Sequence, residues 1–435
     1  RQPDGKVLVV GGFTSYNGTG ANRIIRLNVD STIDTSFDYG TGFDSNVNDI
    51  LYYNDKIYVA GNFSNYNSTA CTGIVCLNLD GTINGDFDYG TGFGGGFVAT
   101  IEVSNDILYI GGGFSSYNGT TANRIISLNL DGTINTDFSY GTGFNSGASV
   151  LRIRVKNDLV YVGGTFSSYN GLSTTARNFI ILDIYGDVIE EYFFSNSVAS
   201  FDLDDLNNIY LIGSFTTVNS VTSLTLCKIG FDGSINSGFT IGTGLNVGST
   251  LSTIVYKDNK LYVGGGFTSY NGTTASRFFK MNLNGTIDSS FTLSSTFNNF
   301  VTTIEVSDDY IYFGGYFTSY KGVTNNRIVL TDLSGNVVEK FVDIEQTAIN
   351  TYDNLVEFNS GTGISYSIDG VVVTMTYTTE DVDIVTFDYF DTDEHVEIDY
   401  ILEPPTFEDI VTDAVTRSPI FYNTDATSLS TVDYE

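Results

Sequence analysis

The stretch "ILYIGGGFSSYNGTTANRIISLNLDGTINTDFSYGTGF", residues 107–144, decides how the chain is read. It holds almost no residue suited to catalysis. Short apolar runs alternate with glycine- and asparagine-rich turn dipeptides, and near-copies recur along the chain. Self-similarity at a fixed period comes before any local reading, because each copy is then one supersecondary unit. The segments "VLVVGGF", "IYVAGNF", "LYIGGGF", "VYVGGTF", "IYLIGSF", "LYVGGGF" and "IYFGGYF" end at Phe13, Phe63, Phe114, Phe166, Phe215, Phe267 and Phe317. Their spacings of 50, 51, 52, 49, 52 and 50 residues give seven copies at a period near 50.

Each copy divides the same way. A first segment such as "VTTIEVSDD", from Val301, alternates apolar and polar residues and ends in an acidic or Asn-rich turn. The glycine-Phe segment follows, then a loop like "SYNGTTAN", then a third run such as "RIISLNL". A "DGTI" or "NGTI" turn comes next, the two-residue signal between antiparallel strands. A short fourth run ends at Phe37, Phe87, Phe138 or Phe291, and "YGTGF" leads into the next copy. Period-2 alternation without helix caps predicts four antiparallel strands per repeat. Such units, several in number, predict an all-β fold: a seven-bladed β-propeller of four-stranded antiparallel blades. Kelch repeats have a similar period but expect a Trp, and this chain has none.

The pattern "DGKxLVxGxF…NRIxRLNxDGxIDxxF…GTGF" resembles the delta-60 repeat β-propeller family. Residues 4–43 match it nearly throughout, residues 101–144 and 258–291 match well, and the resemblance covers about residues 1–341. It implies a propeller found in exported bacterial proteins and phage virion proteins, generally without an assigned reaction. Repeats four and five depart from the pattern. "GDVIEEYFFSNSVASFDLDDLNN" has no "GTGF", and Val218 replaces the loop Tyr.

The opening "RQPDGK" matches the turn after a first strand ("YYNDK", "VKNDL", "YKDNK"), so repeat one lacks its own first strand. Far downstream, "TAINTYDN" (347–354) aligns with "TTIEVSDD" (302–309) and "STIVYKDN" (252–259). These residues are expected to pair with the first blade and close the ring, making 1–354 the propeller; an eighth, degenerate blade from Leu355 is the alternative. Closure removes open sheet edges, an aggregation liability. From Asp343 the composition changes: residues 342–435 hold 21 Asp and Glu and one basic residue, Arg417, giving −20. "GISYSIDGVVVTMTYTTEDVDIVTFDYF" predicts two or three further strands in a small acidic β-rich module over 355–403. The extended acidic tail, 404–435, is expected to order against a partner.

The net charge of −32 argues against nucleic acid, whose phosphates would be repelled. No apolar run approaches the roughly 18 residues of a membrane helix, so no membrane insertion is expected. The start has neither an initiator Met nor a signal-peptide core, which reads as a mature or truncated end with an upstream export signal left open. Cys71, Cys76 and Cys227 form no CxxC and predict buried free thiols rather than a disulfide framework.

Six of the seven loops carry a Tyr: Tyr16, Tyr66, Tyr117, Tyr169, Tyr270 and Tyr320. The loops after strands two and four are expected on one face, the "DG" and "ND" turns on the other. The Tyr set is therefore the candidate binding site, since Tyr suits stacking on sugars or a protein surface; packing against the neighbouring blade is the alternative. Arg23, Arg124, Arg277 and Arg327 head the third strand, as a ring of cations or as hydrogen bonds between blades. Turn chemistry explains the sequons at Asn17, Asn67, Asn118, Asn271 and Asn284. "NLDGTIN" (78–84) gathers oxygens that calcium favours but lacks the loop of an EF-hand.

Catalysis has little to stand on. The only His, His395, lies in the acidic segment, so no Ser-His-Asp or Cys-His arrangement fits inside the repeats. A carboxylate pair for glycoside hydrolysis would be sought at Asp202, Asp204 and Asp205. The expectation is no catalytic residue, no metal and no cofactor. The whole reads as a non-enzymatic structural and adhesive protein of a bacteriophage virion, in a tail, fibre or appendage. Its expected partners are other virion proteins, through the acidic C-terminal segment, and a host-surface glycan or protein, within a larger assembly. A secreted or cell-surface bacterial lectin or polysaccharide-active propeller is the alternative.

Overall fold

The computed structural model describes residues 1–338, except 30, 174–177, 231–233, 236–237, 247–250 and 292–296, and the backbone of strands between 365 and 433. No helix occurs among the described residues. Two compact units divide the chain, Arg1–Val338 and Glu339–Glu435.

In the first unit each copy of the repeat builds an antiparallel sheet. In the third copy Val98–Ser104, Ile107–Gly112 and Ile125–Asn129 pair in that order. The "ND" turns between first and second strands put both residues at positive φ, as at Asn105 (50°) and Asp106 (61°). That is the primed turn whose twist matches the strands it joins. Each first strand from the second copy onward carries a register shift, for example between Val98 and Thr100. The second strand passes close to the first there: a Cβ on Gly112 would collide with the Phe97 carbonyl. The first copy has only Val7–Val10 paired with Ile24–Leu27.

The expected fourth strand is mostly not a strand. In the first three copies it shrinks to single bridges, Leu27–Ile33, Leu77–Ile83 and Leu128–Ile134, and in the sixth to Met281–Ile287. The cause is the next residue. Asp34, Asn84, Asn135 and Asp288 each accept, through Oδ1, the N–H two positions on, at 2.9–3.1 Å. This Asx turn folds the chain back where a strand would continue. In the fourth copy Ile189 holds that position, no such turn forms, and Val188–Phe193 runs on as a full fourth strand beside Asn178–Asp183.

The core lies between sheets rather than within them. Tyr58, Cys76 and Phe87 of the second copy pack with Ile101, Leu108 and Ile126 of the third, and the same interleaving joins the later copies. Ile328 of the seventh copy packs on Ala21, Ile25 and Leu27 of the first. The segment expected to complete the first blade, 347–354, lies outside the described residues. In the second unit, Ser365–Asp369, Val372–Tyr377, Val385–Phe390, Ile420–Asn423 and Thr431–Asp433 form one antiparallel sheet in that order. The last two fall inside the stretch read from sequence as a tail.

The residue heading the third strand shares a backbone state rather than a chemistry. Arg23, Gly73, Arg124, Asn178, Thr225, Arg277 and Arg327 all lie at φ between 56° and 78°. Each donates its N–H to the Phe closing the second strand, as Arg124 does to Phe114 (3.0 Å). The left-handed region costs Gly and Asn little and a β-branched residue most. Thr225→Asn is therefore expected to raise the unfolding free energy by about 1 kcal/mol, measured by urea denaturation of the full chain. An unchanged or lower stability would contradict this account of the strand head.

Candidate functional site

Six short hairpins repeat the loop Tyr; in the third copy the hairpin is Ser116–Tyr117 with Thr120–Thr121. Tyr66, Tyr117, Tyr169, Tyr270 and Tyr320 are buried, at 1% exposure or less. Their hydroxyls donate to the carbonyls of Gly81, Gly132, Gly186, Gly285 and Gly335 at 2.6–2.9 Å. Tyr16 is half-buried and donates to Ser31 (2.9 Å). The expectation that these rings form a binding face is corrected for the five buried ones: ring and hydroxyl are both committed to the core. Burial raises their hydroxyl pKa values, so they stay protonated donors.

What covers each ring is the connecting segment. Asp88 donates its N–H to Asp131 of the next copy (2.7 Å), and Thr91 N–H is accepted by Asn118 Oδ1 (3.2 Å). Between these ends Phe93 packs on Phe114 and Tyr117, with ring centroids 4.5 and 4.8 Å apart. Gly90, at φ 52°, leaves room for Asn118; a Cβ there would collide with its Oδ1. The "SYNG" and "GTG" loops thus meet side by side, and the Asn of the sequon serves as a cap.

The exposed part of each hairpin is its tip. Asn118, Gly119, Thr120 and Thr121 are exposed, as are Asn271 to Thr274. The fifth and seventh copies add apolar tips, Val221 (52% exposed) and Val323 (60%). Reading the hairpin as a two-residue ladder, with one ring turned in, would have found these residues; the glycine carbonyl that captures each Tyr left no sequence signal.

The strand-head arginines serve main-chain carbonyls: Arg23 Nη1 donates to Phe43 (3.0 Å), and Arg124 Nε to Ala148 (3.4 Å). The carboxylates named for glycoside chemistry are separately engaged. Asp202 pairs with Arg154 (3.3 Å) and accepts Tyr256 N–H (2.8 Å). Asp204 is buried and accepts from Leu206, Asn208 and Tyr210, while Asp205 accepts the Tyr256 hydroxyl (2.9 Å). In the "DG" turns Asp80 and Asp131 accept from the N–H and hydroxyl of Thr82 and Thr133. Among the described residues no group of His, Cys, Asp or Glu is placed to hold a metal. The three cysteines are buried and free, and burial pushes the Cys71 and Cys76 thiols up to about 12.

A second cluster was not foreseen from the sequence. Arg154, on the first strand of the fourth copy, bridges Glu102 of the third (2.8 Å) and Asp202 of the fifth (3.3 Å). Burial raises the Glu102 pKa against the opposing pull of Arg154 and Arg152.

Residues 2–37, 54–87, 106–138 and 257–291 match the family model described as "Domain of unknown function (DUF5122) beta-propeller". The chain carries a repeated β-propeller sequence. No curated protein matches it. Among solved structures it is similar to a candidate 6-phosphogluconolactonase of Bacteroides fragilis, at 12% identity over 78% of this chain and 96% of that one, with a TM-score of 0.42. It is also similar to a Pyrococcus horikoshii acylaminoacyl peptidase (10% identity, 80% and 58% covered, TM-score 0.28). Drosophila Semaphorin 2a gives 10% identity, 69% and 67% coverage and a TM-score of 0.25. At these values none of the three lends this chain an activity.

Two outcomes follow. Tyr117→Phe keeps the packed ring but strands the Gly132 carbonyl, so it is expected to cost about 1 kcal/mol in urea unfolding; no loss would mean the hydroxyl bond is idle. Asp288 sits 2.9 Å from Lys260. Burial alone would raise its pKa, but the Ser290 and Lys260 hydrogen bonds outweigh it and bring the carboxyl down to about 2. A depressed native pKa stabilises above the unfolded value, about 4, and that stability is lost as pH falls toward 2. The stability gap between the native protein and Asp288→Asn should therefore narrow between pH 4 and pH 2, and a constant gap would refute the linkage.

Proposed function

We propose that this chain is a non-enzymatic adhesion and scaffold protein of a bacteriophage virion, carried in a tail, fibre or appendage. Its propeller is a seven-bladed ring in which residues 347–354 supply the strand that the first copy lacks. The packing of Ile328 on Ala21 and Ile25 supports that closure, because it joins the last copy to the first. One face of the ring meets a host-surface glycan or protein, and the acidic C-terminal segment docks on neighbouring virion proteins.

The observation that carries the binding role is the repeated hairpin tip. The second, third and sixth copies project Asn, Gly or Ser, and Thr at the same place, above a buried ring, Tyr66, Tyr117 or Tyr270. Short hydroxyl and amide groups on rigid elements recognise polar surfaces at small ordering cost, and repetition turns weak contacts into avidity.

The test separates tip from ring. Purified full-length protein is applied to a glycan array and to host cells, beside a variant carrying Thr120→Ala, Thr121→Ala, Thr273→Ala and Thr274→Ala, and beside Tyr117→Phe. The tip variant is expected to lose binding by at least about tenfold, and Tyr117→Phe to keep it. Binding that survives in the tip variant would move the contact elsewhere; no binding to any glycan or cell would leave a scaffold alone.

A further inference from the structure

The first strands of successive copies lie beside one another, and a side-chain acceptor on one takes a main-chain N–H of the next. Asp49 Oδ2 accepts from Ile101 (3.0 Å), Ser200 Oγ from Ile254 (3.4 Å), and Asp202 Oδ2 from Tyr256 (2.8 Å). The register makes Arg152 the fourth copy's counterpart of Asp49 and Ser200: they stand opposite Gly163, Ala60 and Ile212. Phe201, opposite Leu211, is likewise the counterpart of Ile101 and Ile254. The side chain at this position points toward the fifth copy, since a Cβ on Gly163 would lie 3.0 Å from Val198 and Phe201.

Arginine has five donors and no acceptor, so Arg152 cannot play the part of Asp49 or Ser200. The residue is half-buried and its Nε is buried without a hydrogen-bond partner; Asp49, Glu102 and Asp202 favour its charge, but none forms a close ion pair with it among the described residues. The Thr100 hydroxyl, on the third copy's equivalent position and 1% exposed, is also buried and unpartnered. The nearby carboxylates are already engaged. Glu102 and Asp202 pair with Arg154, and Asp49 accepts from Ile50 and Ile101. Buried donors left without acceptors cost free energy, and a charged one costs most.

We propose that the seam between the fourth and fifth copies binds a small anion, which accepts from the Arg152 guanidinium and from the Phe201 N–H facing it. Asp49, Glu102 and Asp202 oppose an anion through space, so the ligand would be held by direct hydrogen bonds rather than by the field of the seam. What the seam lacks is an acceptor, and a halide or a single oxyanion group supplies one. The ligand completes, at this one seam, the bridge that side chains make at the second-to-third and fifth-to-sixth seams.

The test is thermal unfolding of the full chain while chloride, acetate or inorganic phosphate is raised at fixed ionic strength, balanced by a bulky organic salt. The native protein should show a saturable rise in midpoint of a few degrees. Arg152→Lys should show a weaker rise, and Arg152→Met none. No saturable rise in the native protein would mean water alone meets these donors. An equal rise in Arg152→Met would place the anion elsewhere. Either result overturns the proposal.

Discussion

Every sheet in the first unit leaves its apolar side chains for a neighbouring repeat to cover. The second copy contributes Tyr58 and Phe87, the third Ile101 and Leu108, and neither set is buried until the two sheets meet. A buried aromatic side chain removes on the order of 150–250 Å² from water, so the interface between repeats outweighs any contact within one. Such an array is stable as a sum of neighbour terms, and an end repeat pays the largest penalty unless something covers it. The first copy, two strands wide, is where that constraint presses hardest. Ile328 of the last copy covers part of its exposed face.

The connecting segment answers the same constraint between one repeat and the next. Because the fourth run turns back after one bridge, the chain is free to cross to the next copy rather than lengthen its own sheet. It is held at one end by a main-chain bond, as Asp88 to Asp131, and at the other by a side-chain cap, as Asn118 to Thr91. The Tyr between those ends is trapped by the neighbour's Phe above and its own repeat's glycine carbonyl beneath. One short motif, Tyr-Asn in a tight hairpin, thus serves both packing and connection, which explains why it recurs with so little variation in length.

Much of this was legible in the sequence, and each failure has its own physical cause. Period, strand alternation and the primed "ND" turns depend on local backbone preference, which short strings of residues encode directly. The Asx residue after the "DGTI" turn was equally visible, yet the fourth run was read as a strand because apolar alternation was weighed above turn chemistry. For the Tyr set the binding reading failed, while its alternative, packing against the neighbouring repeat, holds for the five buried rings. A Tyr in a polar loop looks exposed, and only the fold reveals that a glycine carbonyl fifteen residues downstream of Tyr117 waits for its hydroxyl. The strand-head position was read by its arginines, whereas Gly73, Asn178 and Thr225 show that the left-handed backbone is the common requirement.

The positions that the sequence left undecided are those where packing dictates least. Facing the sheets, the first strands repeat one choice: Ile101, Ile153, Phe201, Ile254 and Ile304 are all buried and apolar. One residue earlier, at the seam with the next copy, the same strands carry Thr100, Arg152, Ser200, Thr253 and Thr303. An apolar contact between repeats would not tolerate a change from Thr to Arg, so this row is not set by close packing alone. Nor is it set by the bridge between strands, since Arg152 cannot accept a hydrogen bond. A repeat array can change such a row one copy at a time without disturbing its neighbours' cores. That places the individuality of this repeat array along its first strands and hairpin tips, while the Tyr, Phe and Gly framework between them stays uniform.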